Sequence, residues 1–333
     1  MTENQYICSV NRFLIIQTAF IGDVILATPV VSELKRIYPK AQIDVLVRKG
    51  NESLLANNPK INQVFTFNKK EGKFKSMLSL IKLFRKNKYD EVINLHRFGS
   101  SGLIAVFSGA NSKVGFSKNP FSFLYSIKIK HEIGNGLHEV QRNLLCIQHH
   151  GGVSKLRPEI FPSIEDYKMA EAFQNSNYYC LAPASIWFTK QLPENKWIEL
   201  AQILSQKAKV YFVGGPSDFD LCERLSQAVR HQNCVNVAGK FSFLQSSALF
   251  QKAEMNYVND SGPLHFCSAV NAPVRAFFCS TTPKFGFGPL SDDSKTIESL
   301  EDLDCKPCGL HGFKVCPKGH FKCGNTIKID IVN

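Results

Sequence analysis

Short apolar runs rich in β-branched residues alternate with longer, one-faced segments along this chain. That alternation is the signature of a parallel sheet joined by crossover helices. The first run, Arg12 to Gln17, suits a buried strand. The turn Thr18 to Asp23 follows, then helical spacing from Val24 to Tyr38 that Pro39 stops, then a second strand from Gln42 to Val47. The series continues with strands at Val64–Phe67, Glu91–Leu95 and Lys113–Phe116 and helices at Lys73–Lys86 and His138–His150. Leu156 to Pro162 loses periodicity and holds two prolines, which predicts a linker. The pattern then restarts. Strands are predicted at Tyr178–Ala182, Lys209–Val213, Asn256–Val258 and Val274–Cys279, with helices at Glu194–Ser205, Asp218–Arg230, Ser246–Lys252 and from Leu264. A chain of 333 residues has room for two domains of ordinary size. The expectation is an α/β protein with domains at 1–160 and 161–300 and a cysteine-rich tail at 301–333.

The composition, 44% hydrophobic and 20% charged, excludes a disordered chain. The apolar stretch Phe13 to Leu34 carries Asp23 and Glu33, so it is no membrane span. Met1 to Tyr6 is polar and lacks a signal-peptide pattern, so a cytoplasmic location is expected. Lysine and arginine total 40 against 28 acidic residues, a formal charge of +12 that suits an anionic partner. The excess is spread out, densest from Lys69 to Lys88, whereas a dedicated nucleic-acid domain concentrates it.

Ligands of open α/β sheets bind beyond the carboxyl ends of the strands. Three strand-to-helix turns there carry reactive residues. Asp23 stands at the start of the first helix, as a helix cap or as a general base facing a cleft. Helix N–H groups are expected to hold its pKa down. Asp260-Ser261-Gly262-Pro263-Leu264-His265 has small residues where a backbone must approach a ligand, followed by a helix start suited to phosphate. His265, one turn in, is either a phosphate contact or a satisfied core histidine. Thr189-Lys190 puts a lysine within reach of a diphosphate at the same end of the sheet. There is no GxGxxG and no Walker A loop.

These turns, in this order, resemble glycosyltransferase family 9, the bacterial heptosyltransferases of lipopolysaccharide core assembly. The matching segments are Phe13 to Pro29, Phe188 to Pro193 with Trp197, Val213-Gly-Gly-Pro216 and Asn259 to His265. The resemblance implies a GT-B architecture, two Rossmann-like domains facing each other across a cleft. It implies an inverting, metal-independent transfer of a sugar, typically heptose from ADP-heptose, onto a lipopolysaccharide core or lipid A acceptor. Asp23 matches the family's base. Lys190, with Thr189 beside it, matches its phosphate-binding lysine, and Asp260, Ser261, Gly262 and His265 match its nucleotide-binding turn. A glutamate that binds ribose in some members falls near Ser217-Asp218, where this sequence departs. His96 and Arg97, after the strand Glu91 to Leu95, are the acceptor-side candidates, with a solvated loop pair as the alternative. The implied partners are a nucleotide sugar and an anionic lipid-linked saccharide, with peripheral contact at the inner membrane face and no nucleic acid.

The tail also resembles members of this family. Its spacing is Cys305-x2-Cys308-x7-Cys316-x6-Cys323. Four cysteines of this kind suit a structural zinc, with reduced thiols, late disulfides or an iron–sulfur cluster as alternatives. No cofactor is expected for catalysis. The tail is too short for a core of its own and is expected to pack near the domain junction with its cysteines close together. Two rivals to glycosyl transfer are a GT-B-fold epimerase acting on a UDP-sugar and, more remotely, a zinc-containing nucleic-acid binder. The second would leave both strand-end turns unexplained.

Overall fold

The computed structural model describes residues 12–70, 72–152, 154 and 157–329. Met1 to Tyr6 and part of the linker expected from Leu156 lie outside them. The chain divides into two compact units, residues 1–132 with 139–158, and residues 133–138 with 159–333.

The first unit holds strands β1 (Arg12–Gln17), β2 (Gln42–Arg48), β3 (Gln63–Phe67), β4 (Glu91–Asn94), β5 (Ser112–Phe116) and β6 (Ile127–Ile129). Its helices are α1 (Ile21–Ile37), α2 (Lys73–Asn87), α3 (Gly99–Phe107) and α4 (Glu139–Leu145). The strands form one parallel sheet in the order β3-β2-β1-β4-β5-β6. The order reverses between β1 and β4, so crossovers leave in opposite directions there and a crevice opens at the carboxyl ends.

The second unit repeats the plan. It holds α5 (Ile164–Glu171), β7 (Tyr178–Ala182), α6 (Glu194–Ser205), β8 (Lys209–Phe212), α7 (Phe219–Val229), β9 (Cys234–Asn236), α8 (Phe243–Lys252), β10 (Met255–Asn259), α9 (Gly262–Val270), β11 (Val274–Phe277), β12 (Ser294–Ile297) and α10 (Lys322–Asn325). Its parallel order is β12-β11-β10-β7-β8-β9, reversing between β7 and β10.

Strands at the reversal points are buried on both faces. Phe13, Leu14, Ile15 and Ile16 of β1 are inaccessible to solvent, which is why they read as one continuous apolar run. The described part of the tail joins the second core: Phe321, Cys323, Ile327 and Ile329 pack with Trp197, Phe212 and Phe277. The elements that escaped the sequence reading are α3, α5, α10, β6, β9 and β12. β6 and β9 are short and only half-buried, and α3 is too evenly apolar for periodicity to show. His138–His150 is not one helix but α4 followed by a 3-10 turn, Gln148–His150.

Helix α1 passes through Pro29 without ending. Proline has no N–H for the carbonyl four residues back, here that of Ile25. The Thr28 hydroxyl donates to that carbonyl at 2.7 Å, in a position 1% exposed. The Thr-Pro pair thus supplies a substitute donor from the neighbouring side chain, and α1 runs on to bury Val30, Val31 and Leu34. Thr28→Val keeps the shape and removes the donor. It should cost about 1–3 kcal/mol for the orphaned carbonyl, read as a lower denaturation midpoint with an unchanged slope. An unchanged midpoint would show that Ile25 finds another partner.

Candidate active site

Both sequence-selected clusters lie at the two reversal points. In the second unit, the turn after β7 carries Thr189 and Lys190, and the turn after β10 carries Asp260, Ser261 and Gly262. The fold brings them together: Lys190 Nζ lies 2.7 Å from Asp260 Oδ2. Thr281, beyond the adjacent β11, donates its hydroxyl to the same oxygen at 2.6 Å. Asn259 straps the two loops, accepting the Leu192 N–H at 2.9 Å and donating to the Pro183 carbonyl at 2.7 Å. Asp260 is 6% exposed, so the pair sits where solvent screening is weak.

Ser261 is the residue before α9, and no side chain caps that helix. Its first N–H groups and positive dipole end therefore suit an anion. His265, in the next turn, is buried, and burial foremost pushes its pKa down to about 4, so the ring is neutral at pH 7. Among the described residues, its Nδ1 has no hydrogen-bond partner. Of the two readings of His265, a phosphate contact or a satisfied core histidine, the unpartnered Nδ1 does not fit the second.

Thr189 departs from the expected ligand contact. It is 1% exposed, and its hydroxyl oxygen accepts the Phe313 N–H at 2.8 Å and the Ser280 hydroxyl at 3.0 Å. Its backbone N–H donates in turn to the Phe313 carbonyl, and its carbonyl accepts from Ser280. Thr189 therefore holds Lys190 in place by pinning the turn to the tail. At Gly312, a Cβ would stand 2.8 Å from the Thr189 hydroxyl, so the tail needs glycine there. Near the β8 turn, Asp218 accepts the Gly215 N–H at 2.8 Å, a local capping use.

In the first unit, Asp23 lies in the first turn of α1, which begins three residues earlier than the periodicity suggests. It accepts the Phe20 N–H at 3.1 Å. The expectation that helix N–H groups hold its pKa down is corrected. Loss of water around the carboxyl, then the negative charge of Glu139, outweigh the Phe20 bond and Arg97 and push it up to about 6. Across the reversal point, His96 is buried rather than solvated, with Nδ1 3.0 Å from the Thr18 hydroxyl. Burial, then Lys69 and Arg97, lower its pKa to about 3, so the ring is neutral at pH 7. Arg97 is half-buried and donates to His131 Nδ1 at 3.4 Å, and His131 Nε2 meets both Glu139 oxygens at 3.1 Å.

A feature missed from sequence is a cavity of about 260 Å³ at the carboxyl ends of β2 and β3, lined by Arg48, Lys49, Asn51, Asn68, Lys69 and Lys70. Lys69 donates to the Thr18 carbonyl at 2.6 Å, and burial, then Arg48 and Lys73, lower its pKa to about 8. The signal was present as basic residues directly after two strands, but Arg48 and Lys49 meet Lys69 and Lys70 only through the β2–β3 pairing.

In the tail, the Cys308 thiol donates to the Cys305 carbonyl at 2.9 Å. Burial, then the neighbouring thiols, raise the pKa of Cys308, and Cys323 is pushed up to about 11, by burial first and with Cys308, Cys316 and Cys305 contributing. The four therefore share one neighbourhood, yet among the described residues no three of them bring their sulfurs within 4.8 Å of one another. Among the described residues, no helix is long and apolar enough to cross a membrane.

Residues 77–313 match the family model for glycosyltransferase family 9 (heptosyltransferase). Lipopolysaccharide heptosyltransferase 3 of Escherichia coli K12 is 30% identical over 286 residues, 79% of this chain and 81% of that protein. Among solved structures, the glycosyl transferase family 9 protein of Veillonella parvula superposes with a TM-score of 0.85 at 21% identity, covering 99% of this chain and 97% of that one. The E. coli ADP-heptose lipopolysaccharide heptosyltransferase II gives a TM-score of 0.76 at 20% identity, over 89% of this chain and 95% of that one. The chain belongs to glycosyltransferase family 9, and its paired parallel sheets are of the GT-B class.

The electrostatics of Asp23 are directly measurable. Its carboxyl should titrate with a midpoint near pH 6 by ¹³C NMR, and Glu139→Gln should lower that midpoint by removing the nearby negative charge. A midpoint in the ordinary aspartate range in the unmodified protein would show that the group is well hydrated.

Proposed function

We propose that this family 9 glycosyltransferase moves a heptose from ADP-heptose onto an anionic lipopolysaccharide-core acceptor, with inversion at the anomeric carbon. The observation that carries this reading is the pairing of a base and a diphosphate site with the two reversal points: Asp23 after β1, and Lys190 with the α9 start after β7 and β10. The names of the relatives, which concern lipopolysaccharide heptose transfer, support the same substrate class.

The first unit would hold the acceptor, the second the donor. The Asp23 carboxylate takes the proton of the acceptor hydroxyl as that oxygen bonds to the anomeric carbon from the face opposite the leaving ADP. The carbon–phosphate oxygen bond breaks, and ADP departs with both electrons. A carboxyl with a pKa of about 6 is mostly ionised at pH 7 yet a stronger base than an ordinary aspartate. On the donor side, the Lys190 ammonium and the first N–H groups of α9 oppose the charge that grows on the β-phosphate. Asp260 cannot touch that anion favourably. It aims Lys190, with Thr281 fixing the shared oxygen. The neutral His265 Nδ1 is free to take a hydroxyl or phosphate partner.

The Arg48–Lys70 cavity would receive the acceptor's phosphate or carboxylate groups, and it is the natural point of contact with an anionic membrane face. Acceptor charge is thus met at β2 and β3, while His96 and Arg97 shape the loop beside Asp23. No metal ion enters these steps. A structural zinc on Cys305, Cys308, Cys316 and Cys323 belongs to this reading as a staple of the tail, and their side chains would have to rotate to close on it.

Three variants test the separate roles. Asp23→Asn should bind ADP normally and lose turnover by roughly 10²–10⁴-fold, together with the acid limb near pH 6 of the kcat/KM profile, which in the parent falls as Asp23 is protonated. Lys190→Ala should weaken ADP binding by roughly 10–100-fold in calorimetry, the worth of a charge-assisted hydrogen bond. Lys70→Ala should raise acceptor KM several-fold (about 1 kcal/mol) and leave kcat and ADP binding alone. Near-parent turnover in Asp23→Asn, or unchanged ADP affinity in Lys190→Ala, would remove the corresponding assignment.

A further inference from the structure

At the amino end of the first sheet, away from the turns just described, three metal-ligating side chains converge. Glu91 opens β4, held in register between Phe13 of β1 and Ser112 of β5. His149 and His150 lie on the 3-10 turn Gln148–His150. His150 Nε2 is 2.8 Å from Glu91 Oε1, and His149 Nε2 is 3.1 Å from Oε2. One ligand atom from each residue falls within 4.8 Å of the others. We propose that Glu91, His149 and His150 form a binding site for a first-row divalent cation, zinc in particular, that staples the end of the first unit to its central sheet.

The donor set of two imidazole nitrogens and a carboxylate oxygen is one that zinc takes with three protein ligands and a water. The second layer is also present. The Tyr38 hydroxyl lies 3.1 Å from His150 Nδ1, which leaves Nε2 to face Glu91 and fixes the ring. Phe13 packs edge-on against the same ring at 5.5 Å. Charge arithmetic favours an ion. The two imidazole rings lie 4.0 Å apart, so two imidazoliums would repel one another beside a single carboxylate. A divalent cation would balance Glu91 and accept both nitrogen lone pairs. The Glu91 and His150 side chains are 5% exposed and His149 is 28% exposed, so the fourth position opens to water on the His149 side.

The test is a cobalt(II) titration of the full chain after chelator treatment, with His149→Ala in parallel. The parent should bind one equivalent more than His149→Ala. The difference spectrum should show visible ligand-field bands without a sulfur-to-cobalt charge-transfer band, which separates this site from the tail thiols. Tyr38→Phe should retain that equivalent with roughly 10–100-fold lower affinity, the usual effect of losing an outer partner. Equal stoichiometry and affinity in the parent and His149→Ala would overturn the proposal. So would no cobalt uptake, or a difference spectrum dominated by sulfur ligation. Should His149→Ala fail to fold, His149→Gln, which keeps a hydrogen-bonding group of similar size, is read by the same criteria.

Discussion

An all-parallel sheet cannot return a strand to its neighbour by a tight turn, so each strand needs a crossover, and every crossover begins at a carboxyl end. Where the strand order reverses, the two departing loops diverge and leave a crevice that nothing in the sheet fills. The rest of the molecule depends on this constraint. It sets Asp23 beside the loop of His96 and Arg97 at one reversal, and Lys190 beside Asp260 at the other. The residues are far apart in sequence because the reversal joins strands made at different times.

The two crevices are tuned in opposite senses. Around Asp23, poor hydration and then Glu139 lift the pKa of a carboxyl that ordinarily serves as a helix cap. Around Lys190, a buried carboxylate instead keeps the ammonium oriented, and an uncapped helix leaves its N–H groups available. The aspartates therefore do different work. Asp23 accepts the Phe20 N–H at the start of a helix, whereas Asp260 is committed to an ion pair and a hydroxyl donor. Two carboxylates of identical chemistry part company through their surroundings alone.

Much of this was legible in the sequence, because buried parallel strands write themselves as unbroken apolar runs and turn residues sit at their ends. β1, β4, β7 and β10 could be read directly, and with them the turns that carry Asp23, Lys190 and Asp260. What could not be read was anything requiring register or three-dimensional surroundings. The basic cavity needs β2 beside β3, and the Glu91–His149–His150 cluster needs β4 beside a turn more than fifty residues later. The rise in the Asp23 pKa comes first from burial and then from Glu139, which the linear chain places on another helix. The half-buried edge strands β6 and β9 lack the apolar signature because solvent covers part of them.

Thr189 has its hydroxyl and its N–H paired with Phe313, so the loop that carries Lys190 is finished by residues that the ribosome adds long after it. Until that last segment emerges and docks, the loop lacks the bonds that fix its shape, although its lysine and its aspartate already exist. The order of synthesis thus makes the tail the closing piece of the Lys190 loop. A nascent or shortened chain can own Lys190 and Asp260 and still lack the bonds that fix the loop between them.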